Sequence, residues 1–81
     1  MHVYSCKEHR LQHVRRHTPR DAAEVFAHRI ARRIYGHTGR CKAVRDHGNN
    51  NFEALIGRET SPTGRAQAVH TTIWLTIEQE E

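Results

Sequence analysis

A chain of 81 residues, 36% hydrophobic and with only five aromatics, has room for one modest core, and residues 1–81 are read as a single domain. No run reaches the apolar length of a membrane span or signal peptide, and the opening MHVYSCKEHR is polar from its second residue, so a cytoplasmic protein with no membrane contact is expected. The net charge of +4 conceals an asymmetry: residues 1–46 hold eleven Lys and Arg against four Asp and Glu, a balance of +7, and residues 47–81 hold two against five, a balance of −3.

In chain order, Val3–Cys6 and Leu11–Arg16 read as two strands turning through Lys7–Arg10. The competing helix from Ser5, whose Ser5-Cys6-Lys7-Glu8 matches a capping box, would have little besides Leu11 and Val14 to bury. Thr18 to Gly36 reads as an amphipathic helix with both ends marked. Thr18 is a good N-cap, Pro19 suits the first helical position, Asp21 complements the dipole and Gly36 suits a left-handed C-terminal residue. At about 100° per residue, Ala22, Ala23, Phe26, Ala27, Ile30 and Ile34 fall within one stripe. Glu24, His28, Arg32 and Tyr35 occupy the other face, with Arg29 and Arg33 on its border.

Beyond the connector His37-Thr38-Gly39, Arg40–Asp46 is the next strand and His47-Gly48-Asn49-Asn50-Asn51 a hairpin loop. Phe52–Glu59 returns, with Phe52, Ala54 and Ile56 alternating on one face. Ser61-Pro62-Thr63-Gly64 suits a type I turn. In the last strand, Gln67–Glu78, one face holds Val69, Thr71, Ile73, Leu75 and Ile77, and the other His70, Thr72, Trp74, Thr76 and Glu78. The order β-β-α-β-β-β predicts an α+β fold, one amphipathic helix packed on a mainly antiparallel sheet. Phe26, Ile30 and Ile34 are expected to pack on Phe52, Ile56, Ile73 and Leu75. The second sheet face is expected to carry Trp74, Leu55, Val44 and Lys42.

Metal binding is the first chemistry to weigh. Cys6, His9, His13 and His17 lie at spacings of three, four and four, with Cys41 and His47 further on. Zinc accepts thiolate and imidazole tetrahedrally, but this spacing has no second close cysteine pair. The plainer reading is a set of exposed polar residues in a basic segment that is rich in histidine throughout, and no metal or cofactor is expected. A Cys41–His47 nucleophilic pair has no supporting motif, and Cys41 is better read as a buried strand residue. Carboxylates are scattered, so an enzyme is not expected.

The basic surface is the stronger candidate. Arg15 and Arg16 end the second strand, Arg20 opens the helix, Arg29, Arg32 and Arg33 line its exposed side, and Arg40 and Lys42 begin the following strand. Together they are expected to form a surface that neutralises several phosphates. Arg outnumbers Lys eleven to two, which favours forked recognition of phosphate or carboxylate. For Arg32 and Arg33 the alternative is complementing the helix dipole. Trp74, outside the main core, is a stacking platform for a base, a protein-interface anchor, or part of a sheet-to-sheet homodimer.

In size, charge and element order the whole chain resembles small phage-encoded proteins, including anti-CRISPR inhibitors that occupy nucleic-acid-binding surfaces of CRISPR complexes. The resemblance implies an inhibitor or adaptor whose partner is a protein or nucleoprotein complex. It stands beside the reading from charge, a nucleic-acid-binding module; the partner in either case is nucleic acid or an acidic surface.

Overall fold

The computed structural model describes residues 1–9, 12–58 and 70–80. Its elements run β1 (His2–Cys6), β2 (His13–Arg16), α1 (Pro19–Tyr35), a 3-10 turn (Gly36–Thr38), β3 (Gly39–Asp46), β4 (Asn51–Arg58) and β5 (His70–Glu80). This is the expected α+β order: one helix against a curled antiparallel sheet of five strands, arranged β2-β1-β5-β4-β3. The expected turn at Ser61–Gly64, the strand residues Gln67, Ala68 and Val69, and Leu11 lie outside the described residues.

β5 is the spine. Its first half pairs with β4, from Gly57↔His70 to Asn51↔Thr76, and its second half with β1, from Cys6↔Ile77 to Val3↔Glu80. Glu8 secures the changeover, accepting the Thr76 N–H at 2.6 Å just beyond the end of β1. The β3–β4 hairpin turns through Gly48, Asn49 and Asn50, all at positive φ, a conformation that glycine and asparagine tolerate best.

The helix forms where its caps require. Thr18 Oγ1 accepts the Asp21 N–H at 3.1 Å, and Gly36 at φ 77° returns its N–H to the Arg32 carbonyl. Ala22, Ala23, Phe26, Ala27 and Ala31 are fully covered by Tyr4, Cys6, Val14, Phe52, Ala54, Ile56, Leu75 and Ile77. The four alanines let the helix backbone lie close to the sheet. At Gly39 the approach is closest: a Cβ there would fall onto the Ala31 carbonyl oxygen.

Five expectations need correction. Ile34 is 55% exposed, and Ala31 takes its place in the core. Angular periodicity finds a helix face but not how that face is turned over the sheet; the last turn meets it through Tyr35, expected on the exposed face, which packs against the core with its hydroxyl 2.8 Å from Thr71 Oγ1. Ile30 is only partly buried at the edge of the core. Val44 lies on the inner face opposite Ala54, because a bulge between Cys41 and Ala43 shifts the alternation by one residue. His9, read as an exposed polar residue, is buried, its ring edge-on to Phe26 at 6.0 Å with Nε2 lacking a hydrogen-bond partner.

Candidate functional site

Side chains that sequence alone grouped together divide between two sides of the sheet. The unbroken stretch Val25–Arg45 contains no Asp or Glu; its Arg29, Arg32 and Arg33 stand on the helix, while the β3 register turns Arg40 and Arg45 to the outer sheet face, opposite Gly57 and Glu53. The fold doubles this stretch back on itself, since β3 returns beside α1. His28 accepts the Cys41 N–H on Nδ1 at 3.2 Å, and Arg20 donates to the Val44 carbonyl at 3.0 Å. Two helix side chains therefore satisfy outward backbone groups of an edge strand, which also blunts strand addition there. Arg32 lies one turn past His28, and Lys42 directly follows Cys41, so both flank this seam.

The arginines differ in how far the protein already uses them. Arg29 donates to Gln12 Oε1 at 2.6 Å, and Arg16 to the Arg15 carbonyl. Arg40 folds back onto the carbonyls of His37 and Gly39, each at 2.8 Å. Arg32 and Arg33 are exposed and have no partner among the described residues. An exposed guanidinium without a carboxylate keeps its field and all its donors for a ligand.

On the outer side, register brings Arg45, Glu53 and Trp74 into one cross-strand row, with Ala43, Leu55 and Thr72 in the next. Trp74 is 57% exposed. His47 leans from the hairpin turn onto it, ring centroids 4.8 Å apart at 47°, and its Nε2 lies 2.7 Å from Glu53 Oε1. Arg15 shares this outer face through Val3, at the far end of the sheet beside Glu80, whereas Arg16 pairs with His2 on the opposite face. The candidate residues thus form a helix-side group of Arg16, Arg20, Arg29, Arg32, Arg33 and Lys42, and an outer-face group of Arg15, Arg40 and Trp74.

Sequence reasoning weighed His47 only as a metal ligand or a partner of Cys41, placed His28 on the exposed helix face without a role, and did not single out Arg45. Counting back from the hairpin loop was the available signal, since pairing His47 with Asn51 sets Arg45 opposite Glu53. The His28 contact depends on how the helix crosses the sheet, which no local pattern reports.

The cysteines and histidines do not converge. Cys6 and His9 face the core, His13 lies on the outer face opposite Ser5, His17 is exposed before the helix and Cys41 is half-buried in β3. Among the described residues, no group of three or more His, Cys, Asp or Glu is placed to hold an ion. Burial pushes the Cys6 thiol up to about 11, helped by the Glu8 carboxylate that accepts its S–H at 3.5 Å. Burial, then Glu24, also raises Cys41. Both shifts disfavour the nucleophilic thiolate. No described helix is long and apolar enough to cross a membrane. No family model, curated protein or solved structure matches this chain.

Proposed function

We propose that this chain is a small, non-enzymatic, cytoplasmic binding module that holds nucleic acid by its phosphate backbone along the exposed side of α1. The observation that carries this reading is the exposed side of α1, where Arg32 and Arg33 stand unengaged beside Arg29, with Arg20 and Lys42 on the β3 side next to Glu24. Each phosphate neutralised by such a surface releases counterions, which supplies affinity without sequence preference. The test is the Arg29→Glu, Arg32→Glu, Arg33→Glu triple variant. It should bind generic DNA and RNA at least tenfold more weakly than wild type while keeping its circular dichroism. Equal affinity of wild type and variant contradicts the reading.

The second reading is a protein-directed inhibitor or adaptor, of the anti-CRISPR-like kind, acting on an acidic surface of a protein or nucleoprotein complex. It is favoured by large apolar side chains left in solvent within the folded elements, Ile34 at 55% and Trp74 at 57%. Competition separates the two, because purified nucleic acid displaces a nucleic-acid partner and leaves a protein partner bound.

A further inference from the structure

The outer sheet face offers Trp74, His47 and Arg45, which phosphate binding on the helix side leaves unused, and its groove is shared with that side only through Arg20. Trp74 stands in solvent but is held in place, with His47 against its ring and Glu53 hydrogen-bonded to that histidine. Next to this row opens a groove of about 550 Å³, with Leu55 and Thr72 in its wall and Arg20 and Arg45 along it. That size is within the usual range for small-molecule sites. Two carboxylates also line the groove, and both are engaged: Asp46 Oδ1 accepts the Gly48 N–H at 2.8 Å, and Glu53 Oε1 meets His47 at 2.7 Å. Arg45 has no partner among the described residues, and Arg20 gives one Nη to the Val44 carbonyl. The groove therefore offers guanidinium donors and apolar wall beside a fixed indole. An aromatic ring joined to an anion matches that combination.

We propose that this groove binds one unpaired nucleotide of a single strand, its base stacked on Trp74 and its phosphate held by Arg45 and Arg20. The inference rests on the nucleic-acid reading and narrows it to single strands, because bases paired in a duplex do not offer a free face to an indole. A second copy of the chain is a poorer occupant. The same face carries Arg45 and Glu53 near Trp74, and His13, Arg15, Glu78 and Glu80 along the other half, whereas homodimer cores are depleted of charge.

Trp74 is the sole tryptophan and shares a cross-strand row with the groove residues Glu53 and Arg45, so its emission reports the outer face beside the groove. The experiment titrates the protein with an oligo-dT of about ten nucleotides, within the span a small single-strand module covers, and with a hairpin duplex. Bound DNA is followed separately by anisotropy of an end label. Oligo-dT should quench the indole, and Trp74→Ala should weaken oligo-dT binding by roughly 10- to 100-fold, the range of one lost base stack. Trp74→Phe should retain most of the affinity, and duplex binding should be unchanged in both variants. Oligo-dT that binds with emission unchanged, and equally well to Trp74→Ala, overturns the groove site and leaves the helix-side reading standing. Absence of binding to either DNA overturns both. A wild-type dimer in sedimentation that Trp74→Ala converts to monomer assigns the face to a second copy and overturns the proposal.

Discussion

Gly39 shows how closely the helix and β3 are joined. Its missing side chain lets the strand pass against the Ala31 carbonyl, so Gly39→Ala must push strand and helix apart. A destabilisation of about 1–3 kcal/mol, the usual cost of overpacking, is expected in urea unfolding. Unchanged stability would mean that the seam is looser than described. Cys6 provides a second test at this scale. Its thiol ionises near 9.0 when unfolded and near 11 when folded, so between those values the unfolded chain binds fewer protons. Stability should therefore fall as pH rises from about 9 to 11, by at most roughly 2–3 kcal/mol. Cys6→Ala should lack that component. In the native protein at pH 8, iodoacetamide should label Cys6 about 100-fold more slowly than in urea, from thiolate fraction alone. Equal labelling rates would contradict the burial of Cys6.

The elements were legible in the sequence where local chemistry decides them. Thr18, Pro19 and Gly36 marked the helix, and strict alternation from Thr71 to Ile77 marked β5 and placed Trp74 outside the core. Thr18→Ala should lower stability by about 1 kcal/mol, measured as a shift in the urea midpoint. A shift indistinguishable from zero would mean that the cap contributes nothing. What stayed hidden was set by how elements meet. The bulge at Cys41–Ala43 reversed the side on which Val44 lies, because alternation cannot be carried across an extra residue. The last helix turn meets the sheet through Tyr35 and leaves Ile34 in solvent, and His9 was folded under a turn against Phe26. The site was legible as an inventory of basic residues and one outward Trp. Its division between two sides of the sheet was not, since neighbouring strand residues such as Arg15 and Arg16 face opposite ways.

At the scale of the whole molecule, charge and topology act together. The basic part of the chain supplies the helix and β3, and the acidic remainder supplies Glu78 and Glu80 at the far half of the outer face. Such a distribution gives the protein a positive side, and the proposed reading has its field orient an approaching polyanion toward the helix. The central claim is that Arg and Lys on that side neutralise nucleic-acid phosphates. The measurement that tests it most directly is the equilibrium affinity for generic single-stranded and duplex DNA across a salt series at neutral pH. If about four to six phosphates are neutralised, log K should fall linearly with log salt with a slope of roughly −3 to −5. The Arg29, Arg32, Arg33 charge reversal should flatten that slope by two to three. No detectable binding at low salt, or an affinity indifferent to salt, would contradict the account.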